Sequence, residues 1–84
     1  MDKEQIAALC HEQWSGWMEY LFSKAIDYKP GEVQAYEDGV IIPKCAVDRW
    51  RKQLKTPYEQ LSEEEKESDR KEADRFIQLL KQND

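Results

Sequence analysis

The sequence has 84 residues, a mass of 10.0 kDa and a formal net charge of -5 at pH 7. Charged residues make up 37% of it, yet three tryptophans and four tyrosines favour a folded domain over a disordered chain. This length predicts one domain over residues 1–84 with a modest core. Its acidic character disfavours DNA or RNA binding by neutralisation of phosphates.

Features that the sequence lacks argue against a membrane span, a signal peptide, a metal site and catalysis. No apolar run approaches the roughly 18 residues of a membrane span, and the N-terminus lacks the layout of a signal peptide, so we expect a cytoplasmic protein. Cys10 and Cys45 form no Cys-x-x-Cys pair, which predicts reduced thiols and no metal site. With one histidine and no nucleophile–base arrangement, we expect neither catalytic residues nor a cofactor, and therefore no enzyme.

The first predicted element is a long helix from Lys3 to Ala25. Asp2 suits its N-cap, and Gln5 can complete a capping box three residues later. Gly16 interrupts this helix at a cost of about 1 kcal/mol relative to alanine. It either allows something to approach closely or is merely tolerated. The apolar stripe of this helix has helical spacing and consists of Ile6, Cys10, Trp14, Trp17 and Leu21.

The middle of the chain predicts a β-hairpin followed by a short helix. Pro30 and Gly31 should end the first helix. Two β-prone runs, 33–37 and 40–42, flank an Asp-Gly pair, which is a hairpin signal. Pro43 then suits the first turn of a second helix, predicted from Pro43 to Lys55 and ended by Thr56-Pro57. Trp50 lies on its apolar face, and its flanking cations are Arg49, Arg51, Lys52 and Lys55.

A third predicted helix follows a capping box made by Ser62 and Glu65. Its apolar face is Ala73, Phe76, Ile77 and Leu80. Together the elements predict an α+β, mainly α fold with two long antiparallel helices, one short helix and a small β-hairpin.

Two segments resemble a known family. His11-Glu12-Gln13-Trp14 is similar to the His-x-x-Trp of the ryanodine-receptor repeat (RyR) domain. The run from Pro57 to Arg70 resembles the Pro-Tyr-x-x-Leu and Glu-Lys-x-x-Asp-Arg of the same family. The middle departs from that pattern, because the predicted hairpin and basic helix stand where the family has Trp-x-Tyr-Gly and His-Pro.

The resemblance implies a non-catalytic module, encoded by a phage or a bacterium, that senses or sequesters a nucleotide or a nucleotide-derived signal. A phage protein that removes a host defence signal is one such case. We expect its ligand site where the two motif segments meet, with Trp14 or Tyr58 as a stacking face and Arg70 and Lys66 as phosphate contacts. The predicted ligand-binding residues are His11, Trp14, Trp17, Tyr58, Lys66 and Arg70.

These residues also have a structural interpretation. Tyr58 can pack under the first helix, and Asp69 and Arg70 can fix the loop to the third helix. The aromatic residues can form the core or line a pocket. The single repeat and the marginal hairpin predict a homodimer, with the hairpin and part of the first or second helix at the contact.

Two other function classes remain open. A protein–protein adaptor would use the acidic third helix and the exposed aromatic residues without any small molecule. A domain with DNA-related duties would use the basic second helix, although nucleic acid is the less favoured partner.

Overall fold

The computed structural model of the chain describes residues 1–27, 31 and 39–82. These residues form three α-helices, α1 (Lys3–Lys24), α2 (Lys44–Leu54) and α3 (Glu63–Gln82), and one 3₁₀ turn at Tyr58–Gln60. The protein is therefore mainly helical, and all three predicted helices are confirmed.

Both predicted capping boxes are present. The Gln5 backbone N–H donates to Asp2 Oδ1 at 2.8 Å, and the Asp2 backbone N–H donates to Gln5 Oε1 at 2.9 Å. Ser62 and Glu65 exchange the corresponding pair of hydrogen bonds at the start of α3, each 3.2 Å long. Local sequence thus fixes where the two long helices begin, because each box satisfies backbone donors that the first turn leaves free.

The prediction of an α+β fold with a β-hairpin is wrong. Val40–Ile42, the second predicted strand, is irregular, and no strand occurs in the described residues. The first predicted strand, 33–37, lies outside those residues. Val40 and Ile41 are 93% and 92% exposed. A strand needs a paired edge and a buried face, and β-prone residues without either do not form one.

The core lies where α1 crosses α3, and it is built from small residues. Ala7 on α1 and Ala73 on α3 are fully buried, and Tyr58 and Leu61 close the core from the segment before α3. The contacts Lys3–Asp74 and His11–Asp69 progress in opposite chain directions, which confirms that the two long helices are antiparallel. Most of the aromatic residues are not in this core: Trp14 and Trp50 are half-buried, while Trp17 and Tyr20 are exposed.

The basic helix α2 packs against the second half of α1. The guanidinium of Arg51 lies 5.0 Å from the centre of the Phe22 ring and 3.4 Å from Asp27 Oδ1. Among the described residues, the helices do not combine the length and the apolar character that a membrane span requires.

Candidate functional site

The two motif segments meet where His11 faces Asp69, and a carboxylate that sequence reasoning missed, Glu4 on α1, contacts the second segment. The Tyr58 hydroxyl donates to Glu4 Oε2 at 2.6 Å, and Arg70 Nε donates to Glu4 Oε1 at 2.7 Å. Glu4 therefore connects α1, the 3₁₀ turn and α3. Its two donors lower the pKa of the Glu4 carboxyl, with the Tyr58 hydrogen bond as the larger cause.

Arg70 is surrounded by acidic side chains. Besides Glu4, its Nη1 lies 3.0 Å from Glu63 Oε2 and 3.5 Å from Glu67 Oε2. The hydrogen bonds that Arg70 donates to Glu4 and Glu63 raise the pKa of Arg70 further above its ordinary value. A phosphate at this position would have to compete with three carboxylates already in contact with the guanidinium.

Lys66 and Tyr58 lie together but offer little open surface. Lys66 Nζ is 5.8 Å from the centre of the Tyr58 ring and 3.8 Å from Glu63 Oε1. Tyr58 is only 6% exposed, so its ring faces protein rather than solvent. Burial, followed by the bond to Glu4, raises the pKa of Tyr58 to about 12.

His11 is buried and connects α1 to two other segments. Its Nε2 lies 2.6 Å from the Thr56 carbonyl oxygen, so this nitrogen carries a proton and donates it to the carbonyl. Its Nδ1 lies 3.5 Å from Asp69 Oδ2 on α3. Both His11 Nδ1 and Asp69 Oδ2 are buried, and among the described residues neither of them has a hydrogen-bond partner. Burial raises the pKa of Asp69, while nearby His11 lowers it to a lesser extent.

The predicted ligand-binding residues thus do not form one cluster. Trp14 stacks on His11, with ring centres 6.0 Å apart and planes 20° apart, while Tyr58, Lys66 and Arg70 lie together around Glu4 and Glu63. Trp17 does not join them, because it lies on the solvent side of α1 and is 72% exposed. The missed residue Glu4 precedes His11 by seven positions, two helical turns, and this spacing was the available signal that both face α3.

The solvent side of α1 carries a second candidate site, which we call the aromatic face: Leu9, Gln13, Gly16, Trp17 and Tyr20. Trp17 and Tyr20 meet edge to face with ring centres 6.2 Å apart. A Cβ added at Gly16 would meet no described atom within 4 Å. Nothing in the described part of the chain therefore requires a glycine there. In a chain with 37% charged residues, these five residues are uncharged, and the cation that follows them one turn later, Lys24, has its Nζ 5.7 Å from the centre of the Tyr20 ring.

No group of three or more histidine, cysteine or acidic residues within the described ranges could hold a metal ion. Comparisons with protein-family models, characterised proteins and solved structures find no match to this chain. The RyR resemblance therefore stays a prediction that depends on the two quoted motifs.

Proposed function

We propose that this protein is a non-catalytic binding module that recognises a helix of another protein through its aromatic face. The observation that carries the proposal is the exposed Trp17 beside a mid-helix glycine that the described chain does not use. Aromatic residues are enriched and charges depleted at the centre of protein interfaces. A glycine at such a centre lets a partner helix approach the backbone of α1 closely.

The flanks of the aromatic face indicate the charge of the partner. Glu12 and Glu19 lie beside it on α1, against one cation, Lys24, at the Tyr20 ring, and the protein as a whole carries a net charge of -5. Complementary charge favours binding and selects among partners. The proposed partner is therefore an amphipathic helix whose apolar side is bordered by lysine or arginine.

The motif residues support this choice over a nucleotide as the first candidate. Arg70 is already in contact with three carboxylates, and Tyr58 is buried against Glu4. These contacts satisfy the groups that would hold a phosphate and a base. Their role in this proposal is to fix α1 on α3, which keeps the aromatic face on a rigid support.

Nucleotide binding is the second candidate, because one observation favours it. The open ring of Trp17 can stack on a nucleobase, and Lys24 Nζ lies 5.7 Å from the neighbouring Tyr20 ring. The sensing or sequestering of a nucleotide-derived signal, which the RyR resemblance implies, would then use this face rather than Tyr58 and Arg70.

Two designed helical peptides with one shared leucine and alanine face test the proposal. One has lysine flanks and the other has glutamate flanks, and binding is followed by tryptophan fluorescence. We expect micromolar binding of the lysine peptide, weakened by salt, and none of the glutamate peptide. Trp17→Ala should abolish binding, whereas Trp50→Phe, a change on α2, should not. Failure of the lysine peptide to bind would contradict the proposal.

Thermal-shift measurements with a panel of nucleotides distinguish the second candidate function, nucleotide binding, from the first. Nucleotides, cyclic dinucleotides and ADP-ribose derivatives are the probes. Stabilisation by one of them that is lost in Trp17→Ala but kept in Arg70→Lys would favour nucleotide binding at the aromatic face. The reverse pattern would restore the motif site.

A further inference from the structure

The two edges of the aromatic face carry opposite charge. The central line of this face has the spacing of a coiled-coil seam, four, three and four residues: Leu9, Gln13, Gly16 and Tyr20. Glu12 and Glu19 are seven residues apart, so they lie within about 20° of each other on one edge. Lys24 follows Glu19 by five residues, about 140° around the helix, and therefore lies on the other edge.

The fold does not use these edge charges within the described part of the chain. Glu12, Glu19 and Lys24 are exposed, and none of them forms an ion pair with another described residue. On the side of α1 that packs on α3, by contrast, Lys3 and Glu4 each have an ion-pair partner. The charges at the aromatic face are therefore available to select a partner and to orient it.

We infer that the partner helix runs antiparallel to α1, with an acidic first turn and with lysine or arginine along one edge only. This inference rests on the proposed recognition of a helix at the aromatic face. An antiparallel helix brings its first turn over Lys24, in the last turn of α1. Acidic side chains are favourable in a first turn because they offset the helix dipole, and there they also pair with Lys24.

The rest of the partner helix lies along the acidic edge. Its middle and last turns pass Glu19 and then Glu12, and lysines seven residues apart on one edge can meet both carboxylates. Cations are also favourable in a last turn because of the helix dipole. A parallel partner would need its acidic side chains in its last turn, where the dipole disfavours them. The antiparallel direction therefore satisfies both helices.

Lys24 is the residue that gives the face its direction. Its Nζ lies over the Tyr20 ring, so this cation is held beside the apolar surface that the partner covers. A partner with lysine on both edges places one ammonium group against Lys24, and facing like charges weaken an interface. A partner with one basic edge and an acidic first turn replaces this repulsion by attraction.

A two-edged peptide, compared with the lysine-flanked peptide described above, tests the role of Lys24. It keeps the leucine and alanine face but carries lysines on one edge and glutamates in its first turn. We expect it to bind at least about threefold more tightly than the lysine-flanked peptide. Lys24→Glu should reverse this order, whereas Lys71→Glu, the same change of charge at an exposed position of α3, should preserve it. Equal affinities for the parent, or an unreversed order in Lys24→Glu, would overturn the inference.

A nitroxide label on the N-terminus of the two-edged peptide reports the direction of binding. We expect it to broaden the amide NMR signals of Ser23 and Lys24 and to leave that of Leu9 sharp. The opposite pattern would overturn the antiparallel direction while leaving the proposed function standing, whereas failure of both peptides to bind would overturn both. Light scattering on the protein alone checks for a second copy, since parallel copies also set Glu19 against Lys24. A dimer that Lys24→Glu dissociates would assign the face to self-association and overturn the inference.

Discussion

His11 Nδ1 faces Asp69 Oδ2 across the α1–α3 interface at 3.5 Å, with both atoms buried. Because Nε2 donates its proton to the Thr56 carbonyl, a neutral His11 directs the lone pair of Nδ1 toward the carboxylate. With the Asp69 carboxyl ionised, two acceptor atoms face each other, so the contact is more favourable when Asp69 carries a proton. This buried pair therefore couples helix packing to pH.

We expect Asp69→Asn to keep or increase stability near pH 8, because an asparagine amide can donate to Nδ1 without carrying charge. The raised pKa of Asp69 means that the native state binds this proton more tightly than the unfolded state does. The stabilisation that comes from this bound proton is complete below the ordinary Asp69 pKa of 3.8. It is lost as the pH rises through the raised pKa. The difference in unfolding free energy between Asp69→Asn and the parent should thus increase with pH in urea titrations.

Asp69→Ala is the matched control for this prediction. This change removes the polar group that faces His11 Nδ1 from α3, and it should lower the free energy of unfolding by about 1–3 kcal/mol. If Asp69→Asn loses as much stability as Asp69→Ala at pH 8, a donor at this position does not relieve the contact and our account of the pair is wrong.

Tyr58→Phe should destabilise the protein by about 1–2 kcal/mol, because it removes the hydroxyl that donates to Glu4. The pKa of Tyr58, raised to about 12 from 10.0, also predicts alkaline unfolding. Its contribution is complete below pH 10.0 and is lost as pH rises toward 12. Tyrosinate absorbance follows this titration. Tyr20→Phe, an exposed control, should leave stability unchanged, and equal effects of the two variants would count against the Glu4 contact.

Gly16→Ala should raise the free energy of unfolding by about 1 kcal/mol, since the added Cβ meets no described atom and alanine favours a helix. Thermal and urea unfolding measure this gain. Gly16→Leu should keep the fold but block binding of the lysine-flanked peptide, because the larger side chain fills the approach to α1. A destabilised Gly16→Ala would show that the chain itself uses the space above this residue.

Arg51→Ala should cost more stability than Arg49→Ala, although the two cations are neighbours in sequence. Arg51 contacts the Phe22 ring and Asp27, and an exposed cation–π contact contributes about 0.5–1 kcal/mol. Arg49 is exposed on α2, and its truncation should stay within about 0.5 kcal/mol. Urea unfolding of both variants measures the two losses of stability. Equal losses would mean that Arg51 does not fix α2 on α1.

Local sequence signals were sufficient to locate the three helices and the starts of the two long ones. Capping boxes at Asp2 and Ser62 and helical spacing of apolar residues are local signals, and local hydrogen bonds satisfy them. The same local reasoning predicted a hairpin before Pro43 and was wrong. The β-preference of Val40 and Ile41 counts only if a partner strand and a buried face exist, and neither is a property of the segment alone.

Tertiary structure decided the role of the motif residues. Tyr58 and Arg70 look available for a ligand in the sequence, but the crossing of α1 and α3 places Glu4 in contact with both, although it lies 54 residues from Tyr58 and 66 from Arg70 along the chain. The same crossing buries His11 against Asp69 and leaves Trp17 in solvent. Which side of a helix is covered depends on the length and angle of its neighbour, and spacing within one helix does not contain that information.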